Sequence, residues 1–167
     1  MKARKTIDAT QNAAVLNAAN TRNNGRYNGN GRDWATPPEV FDPLHVEFGF
    51  TLDPCATRET AKVARFYSEA DDGLSKSWRG ERVFLNPPYG REIYAWTKKA
   101  AAETAADPST LVVGLLPAST DLEWWHRDVA PHASEIRWIR GRVRFLTGGP
   151  YRASGFFASC LVVWGNR

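Results

Sequence analysis

Six consecutive apolar positions, Leu111-Val112-Val113-Gly114-Leu115-Leu116, constrain the fold more than any other segment. They do not alternate with polar residues, so a strand built from them presents apolar groups to both faces of its sheet. Such a strand is expected to be fully buried and parallel to its neighbours, with cover above and below. The flanking patterns agree. Pro37-Pro38-Glu39 followed by Val40, Phe41, Leu44, Val46 and Phe48 gives a helix start with mostly helical spacing, and Gly49 closes it. Residues 50–52 read as a short strand ending at Asp53-Pro54, residues 58–65 as a short helix, and Arg82-Val83-Phe84-Leu85 as a second strand. Residues 92–106 are alanine-rich and helical, with Ile93, Trp96 and Ala100 on one face. Residues 122–129 form another expected helix, and 136–139 and 158–164 the last strands. Strands alternating with helices predict an α/β sheet with helices on both faces, and a ligand site beyond the carboxyl ends of its strands.

The chain has 167 residues, enough for one well-buried core. No apolar run approaches the ~20 residues that cross a bilayer, and residues 1–10 lack the apolar core of a signal peptide. Cys55 and Cys160 are far apart, and His45, His126 and His132 have no metal spacing. Neither a disulfide framework nor a metal site is expected, and a reducing cytoplasmic setting is the default. Residues 1–32 stand apart. They are rich in Asn and Gly, and Asp8 is their only acid against Lys2, Arg4, Lys5, Arg22, Arg26 and Arg32. They read as a flexible basic arm, either a solvated tail or a segment that tracks phosphates, ahead of a folded domain from 33 to 167. The net charge of +4 favours a polyanionic partner without requiring one.

The chemistry concentrates in Asn86-Pro87-Pro88-Tyr89, directly after an apolar strand. Prolines stop strands, but a plain stop needs neither the Asn nor the Tyr. An amine attached to an aromatic base is a poor nucleophile, because its lone pair is delocalised into the ring. Two acceptors gripping its hydrogens favour the pyramidal form that frees the pair. The Asn86 side-chain oxygen and the Pro87 carbonyl can supply them, and the prolines hold that carbonyl stiffly without adding a donor. Tyr89 offers a flat face for a base flipped out of a duplex.

With the tetrad in place, residues 33 to about 164 resemble the small phage-type DNA N-6-adenine methyltransferases, the Dam-like family. The shared landmarks are Asp33-Trp34-Ala35-Thr36-Pro37-Pro38-Glu39, Phe50-Thr51-Leu52-Asp53-Pro54-Cys55-Ala56, Asp71-Asp72-Gly73-Leu74, Trp78, Asn86-Pro87-Pro88-Tyr89-Gly90 and Leu115-Leu116-Pro117-Ala118. The resemblance implies an abbreviated class I (Rossmann-like) methyltransferase sheet, S-adenosylmethionine as methyl donor and double-stranded DNA as partner. It places Trp34, Thr36, Pro37, Asp53, Pro54, Cys55, Asp72 and Asn86 around the cofactor. Asp53 either holds the cofactor's amino group or caps a following helix. Asp72 either flanks the cofactor adenine or belongs to an Asp-Gly turn. Thr36 and Pro37 either close over the methionine end or cap their helix. The Asp53 loop lacks the glycine such loops usually carry, and the span from Asp53 to Asn86 is too short for two intervening strands and helices.

Arg137, Arg140, Arg142 and Arg144 cluster around Gly141, and Arg152 follows a Gly-Gly-Pro loop. Arg140, Arg142, Arg144 and Arg152 are candidate DNA contacts, the alternative being the solvated face of an edge strand. Of Trp124 and Trp125, one is expected in the core and the other in a base pocket. The function expected is adenine methylation in DNA. The alternatives are a cytosine-amine or RNA methyltransferase, or an inactive DNA-binding protein of the same fold.

Overall fold

The computed structural model describes residues 34–146, 152–155 and 157–166. The basic arm and the loop before Arg152 lie outside the described residues. The strand expected from the apolar run is β2 below, Leu111–Pro117, and it is buried at all seven positions. It lies inside a four-stranded sheet together with β1 (Arg82–Leu85), β3 (Ala133–Trp138) and β6 (Ser159–Trp164), in the order β1-β2-β6-β3. β1 runs parallel to β2, whereas β6 is antiparallel to both β2 and β3. The fully parallel pairing expected for β2 therefore holds on one side only. Two-sided burial constrains what covers a strand, and leaves its neighbour's direction to the connection.

Alternate residues feed two cores. Val83, Leu85, Val112, Leu116, Val162 and Trp164 pack with Ile93, Trp96 and Ala100 of helix α2 (Ile93–Ala106). Phe84, Leu111, Val113, Leu115, Leu161 and Val163 pack with Val40, Phe41, Leu44 and Phe48 of helix α1 (Pro38–Phe48). The structure is thus mixed α/β, with helices on both faces. α1 ends as its sequence predicts: Gly49 takes φ 61° and donates its N–H to the His45 carbonyl at 2.8 Å.

The helix expected over 122–129 is realised as a π-type turn, Trp125–Val129, in which the Ala130 N–H reaches the Trp125 carbonyl at 2.8 Å. The wider turn brings Trp125, Asp128 and Val129 inward. The Asp128 carboxylate accepts from the Thr97 hydroxyl at 2.8 Å, and its carbonyl accepts from the Trp164 indole N–H at 2.8 Å.

Residues 58–65 do not form the expected helix. One turn closes, with the Ala61 N–H on the Thr57 carbonyl at 2.9 Å. The next amide, Lys62, would bond to the Arg58 carbonyl in a helix. It donates instead to the Asp53 carboxylate at 3.1 Å. The chain then runs back beside its own start, with Asp53 N–H on the Arg65 carbonyl and Tyr67 N–H on the Asp53 carbonyl, both at 3.0 Å. The strand expected at 50–52 shrinks accordingly to single parallel bridges, Leu52 with Val83 and Asp53 with Phe66. An unanticipated hairpin, β4 (Arg144–Leu146) with β5 (Arg152–Ser154), holds the N-terminal segment through a bridge between Ala35 and Leu146.

Gly114 interrupts β2 for a packing reason. A Cβ there would sit 2.9 Å from Cζ3 of the buried Trp164 indole. Gly114→Val is expected to lower stability by roughly 1–3 kcal/mol through overpacking. A urea midpoint unchanged from the parent would show that the indole is free to move aside.

Candidate active site

The two prolines after Leu85 end β1 and turn Asn86 and Tyr89 toward the carboxyl end of β2. The Asn86 side-chain N–H group donates to the Trp34 carbonyl at 3.1 Å. That carbonyl only accepts, so the amide is held with Oδ1 facing the other way, toward the Tyr89 hydroxyl at 3.1 Å. The same hydroxyl lies 3.1 Å from the Leu115 carbonyl. It has one proton for two acceptors. Burial raises the phenol well above its ordinary titration range, so it stays neutral. The Tyr89 ring, partly exposed, meets Phe157 edge-to-face at 4.9 Å, with Phe145 and Trp34 at 6.1 and 6.4 Å.

Asn86, Pro87, Pro88 and Tyr89 line a cleft together with Trp34, Thr36, Asp53 and Cys55, so the fold gathers these sequence-predicted residues from three separate segments. Trp34 stacks on Phe145 at 5.2 Å, yet among the described residues its indole N–H has no partner, and neither has the hydroxyl of the buried Thr36. Two orphaned groups in one cleft call for an explanation, since buried polar groups are nearly always bonded. The capping role considered for Thr36 is not realised, because α1 has no side-chain cap bond. Pro37 is buried as the residue before α1.

Asp53 is buried, and burial pushes its carboxyl up to about 6, opposed by the backbone N–H groups of Lys62 and Cys55 and by the Lys62 ammonium. No helix follows for it to cap; its carboxylate fixes the turn at Lys62 instead. Burial also pushes the Cys55 thiol well up. Pro54 touches Gly73: a Cβ at Gly73 would fall 2.0 Å from the Pro54 carbonyl oxygen. Gly73 therefore lets its turn pack directly against the Asp53 loop, although it does not line the cleft. Asp72 begins that turn with φ 52°, is exposed, and does not line the cleft.

Sequence reasoning missed Thr60, Lys62 and Phe84 as lining residues. Lys62 carried no local signal, because the expected helix left its side chain unplaced. A second cleft lies across Tyr89, which lines both; its other walls include Arg91, Tyr94, Pro117, Leu122, Trp124 and Phe157. Trp124 is thus at once core and pocket wall, while Trp125 stacks on the exposed Trp138 at 6.0 Å.

Among the arginines, Arg137 is committed. It forms a two-pronged pair with Glu47 at 2.6 Å and bonds Glu135 at 2.9 Å, tying β3 to α1. Arg140 and Arg142 are exposed and Arg144 is half-buried on β4. The Arg152 side chain lies outside the described residues. Among the described residues no group of three His, Cys, Asp or Glu could hold a metal, and no helix is long and apolar enough to cross a membrane.

A sequence model of a family described as DNA N-6-adenine-methyltransferase (Dam) matches residues 26–166. The chain is 33% identical over 129 residues to the DNA N-6-adenine-methyltransferase of Escherichia phage T1, covering 75% of this chain and 52% of that protein. It is 30% identical over 116 residues to the DNA N-6-adenine-methyltransferase of Haemophilus phage HP1 (strain HP1c1), covering 68% of this chain and 65% of that protein. The chain therefore spans about half to two-thirds of the length of these phage relatives.

Because the folded pKa of Asp53 lies above the ordinary 3.8, its contribution to stability is full at low pH and is lost as pH rises through about 6. Asp53→Asn, which keeps an acceptor for the Lys62 amide, should therefore gain on the parent between pH 5 and pH 8, by at most roughly 3 kcal/mol. Urea unfolding of both proteins at the two pH values checks this. A variant that loses ground as pH rises would contradict a raised Asp53.

Proposed function

The chain belongs to the DNA N-6-adenine-methyltransferase (Dam) family, and on that premise we propose that it transfers a methyl group from S-adenosylmethionine to the exocyclic amine of adenine in double-stranded DNA. The observation that carries this reading is the position of Tyr89 as the shared wall of two clefts, with Asn86 hydrogen-bonded beside it. One cleft suits the methyl donor and the other, largely aromatic and apolar, suits an unstacked base. In keeping with the family, we read the sheet as an abbreviated class I (Rossmann-like) methyltransferase sheet. The parallel β1–β2 pair and the cleft beyond their carboxyl ends support that reading.

The residues of the first cleft fit the cofactor. The Asp53 carboxylate is an acceptor for its amino group, and the Trp34 indole and Thr36 hydroxyl are donors without acceptors among the described residues. Cys55 lines the same cleft, whereas Pro37 and Pro54 adjoin its lining residues Thr36, Asp53 and Cys55 in the chain without lining it themselves. Asp72, exposed at its turn, would reach the cofactor only from outside the cleft. When bound, S-adenosylmethionine supplies an activated methyl group on a sulfonium.

The chain's own part is to position and to free a lone pair. Asn86 Oδ1 and the Pro87 carbonyl accept the two amine hydrogens, which favours the pyramidal nitrogen. Asn86 Oδ1 is already engaged by the Tyr89 hydroxyl, but that proton has the Leu115 carbonyl at equal distance. Turning it to Leu115 opens the Asn86 oxygen to the incoming amine without leaving the hydroxyl unbonded. The Tyr89 face stacks the base, and Arg140, Arg142, Arg144 and Arg152 are the candidates for phosphate contacts. Attack on an activated methyl needs no strong base, so positioning carries most of the rate.

Labelled methyl from S-adenosylmethionine should appear in unmethylated duplex DNA as N6-methyladenine on nucleoside mass spectrometry. Label in cytosine or only in RNA would redirect the substrate, and no label with cofactor bound would favour an inactive DNA-binding protein. Asn86→Ala should lower kcat on the order of 10²–10³-fold, the scale for losing one preorganised polar contact, while still binding S-adenosylhomocysteine. Tyr89→Ala should lose ~1–3 kcal/mol of productive base capture; an unaltered rate would remove Tyr89 from the pocket.

A further inference from the structure

The strap that replaces the expected helix at 58–65 has a consequence at the site. Because Asp53 captures the Lys62 amide, the chain stops winding there, and Lys62 becomes a wall of the same cleft as Asp53. Its ammonium is half-buried and lies 6.0 Å above the Phe41 ring. The charged groups that face it are all acids: Asp53 most strongly, then Asp42 and Glu39 of α1. Burial outweighs them and holds the amine below its ordinary range, so the cation is short of solvent. Asp53 meanwhile takes only backbone N–H groups within hydrogen-bond reach, and among the described residues no ion pair joins it to the Lys62 ammonium.

An anion and a cation in one cleft, near enough to sense each other yet unpaired, match a ligand that carries both charges on one carbon. We propose that Lys62 and Asp53 clamp the zwitterionic amino-acid end of the cofactor, Lys62 binding the α-carboxylate and Asp53 the α-ammonium. The proposal rests on the reading that this cleft takes S-adenosylmethionine. Lys62 is the element that makes the carboxylate admissible: among the described residues it and Asp53 are the charged residues that line the cleft, so without it a free carboxylate there would face Asp53 alone. The orphaned Trp34 indole N–H and Thr36 hydroxyl in the same cleft add neutral donors suited to the same anion.

The test is calorimetric titration of the full chain with two probes, S-adenosylhomocysteine and 5′-methylthioadenosine. Both carry the adenosine thioether, and only the first has the amino-acid group. Lys62→Met should weaken S-adenosylhomocysteine by roughly tenfold or more, the scale of one charged hydrogen bond, and leave methylthioadenosine unchanged. Lys62→Arg should recover most of the loss. Lys62→Gln, which keeps a polar head should the methionine variant fail to fold, should show the same split between probes. Equal weakening of both probes would make Lys62 structural, and unchanged S-adenosylhomocysteine affinity would remove it from the site; either overturns the proposal. A folded parent that binds neither probe would instead overturn the cofactor reading on which the proposal rests.

Discussion

A strand buried at every position must be covered on both faces, and much of this structure follows from satisfying β2. α1 and the β4–β5 hairpin region close one face; α2 and the π-type turn close the other. The second cover is held by a short chain of dependence. Gly114 leaves room for Trp164, the Trp164 indole bonds the Asp128 carbonyl, and the Asp128 carboxylate bonds Thr97 of α2. Buried polar atoms that bond each other across elements in this way fix one arrangement of a core that apolar contacts alone would leave degenerate. With both faces closed, the loops leaving β1 and β2 at their carboxyl ends remain open for a ligand, and Asn86 and Pro117 stand there.

Elements decided by local chemistry were legible in the sequence. α1 begins at the second proline of a pair and ends at a glycine in the left-handed region, and β1 ends one residue before another proline pair. Trp34, Thr36, Asp53, Cys55 and the Asn86–Tyr89 tetrad meet in one cleft, while Pro37, Pro54 and Asp72, expected beside them, do not line it. Elements decided by distant partners were not legible. The direction of β6 depends on its return path, and the hairpin at Arg144 depends on the segment at Ala35. The close packing of Gly73 on the Pro54 carbonyl joins the Asp53 loop to a turn beyond the strap, which no local pattern announces. Arg137 has the composition of a phosphate contact and is spent on Glu47 and Glu135. Charge in a sequence does not reveal whether the fold has already paired it.

The failed helix at 58–65 shows how one buried carboxylate overrides propensity. Forming another helical turn there would gain a single amide–carbonyl bond and leave Asp53 desolvated without that donor. A charged acceptor bonds an N–H more strongly than a neutral carbonyl does, so the Lys62 amide goes to Asp53. The cost is irregular backbone, stabilised by the pairing of 53–56 against 65–67. The return is a cleft whose floor and strap are joined by the group that also gives the cleft its negative charge.

The orientation of the Asn86 amide rests on a similar exchange across distance. Its N–H group is held by the Trp34 carbonyl, and Trp34 is held by stacking on Phe145 and by the Ala35–Leu146 bridge. Asn86 is therefore aimed by the N-terminal segment and the hairpin rather than by its own strand. That hairpin also carries Arg144. The hairpin, Trp34 and the Asn86 amide are thus joined by packed rings and by three hydrogen bonds to backbone carbonyls. Arg144 and the Asn86 amide are therefore placed by one set of contacts, while Asp53 and Lys62 are placed by another, on the strap.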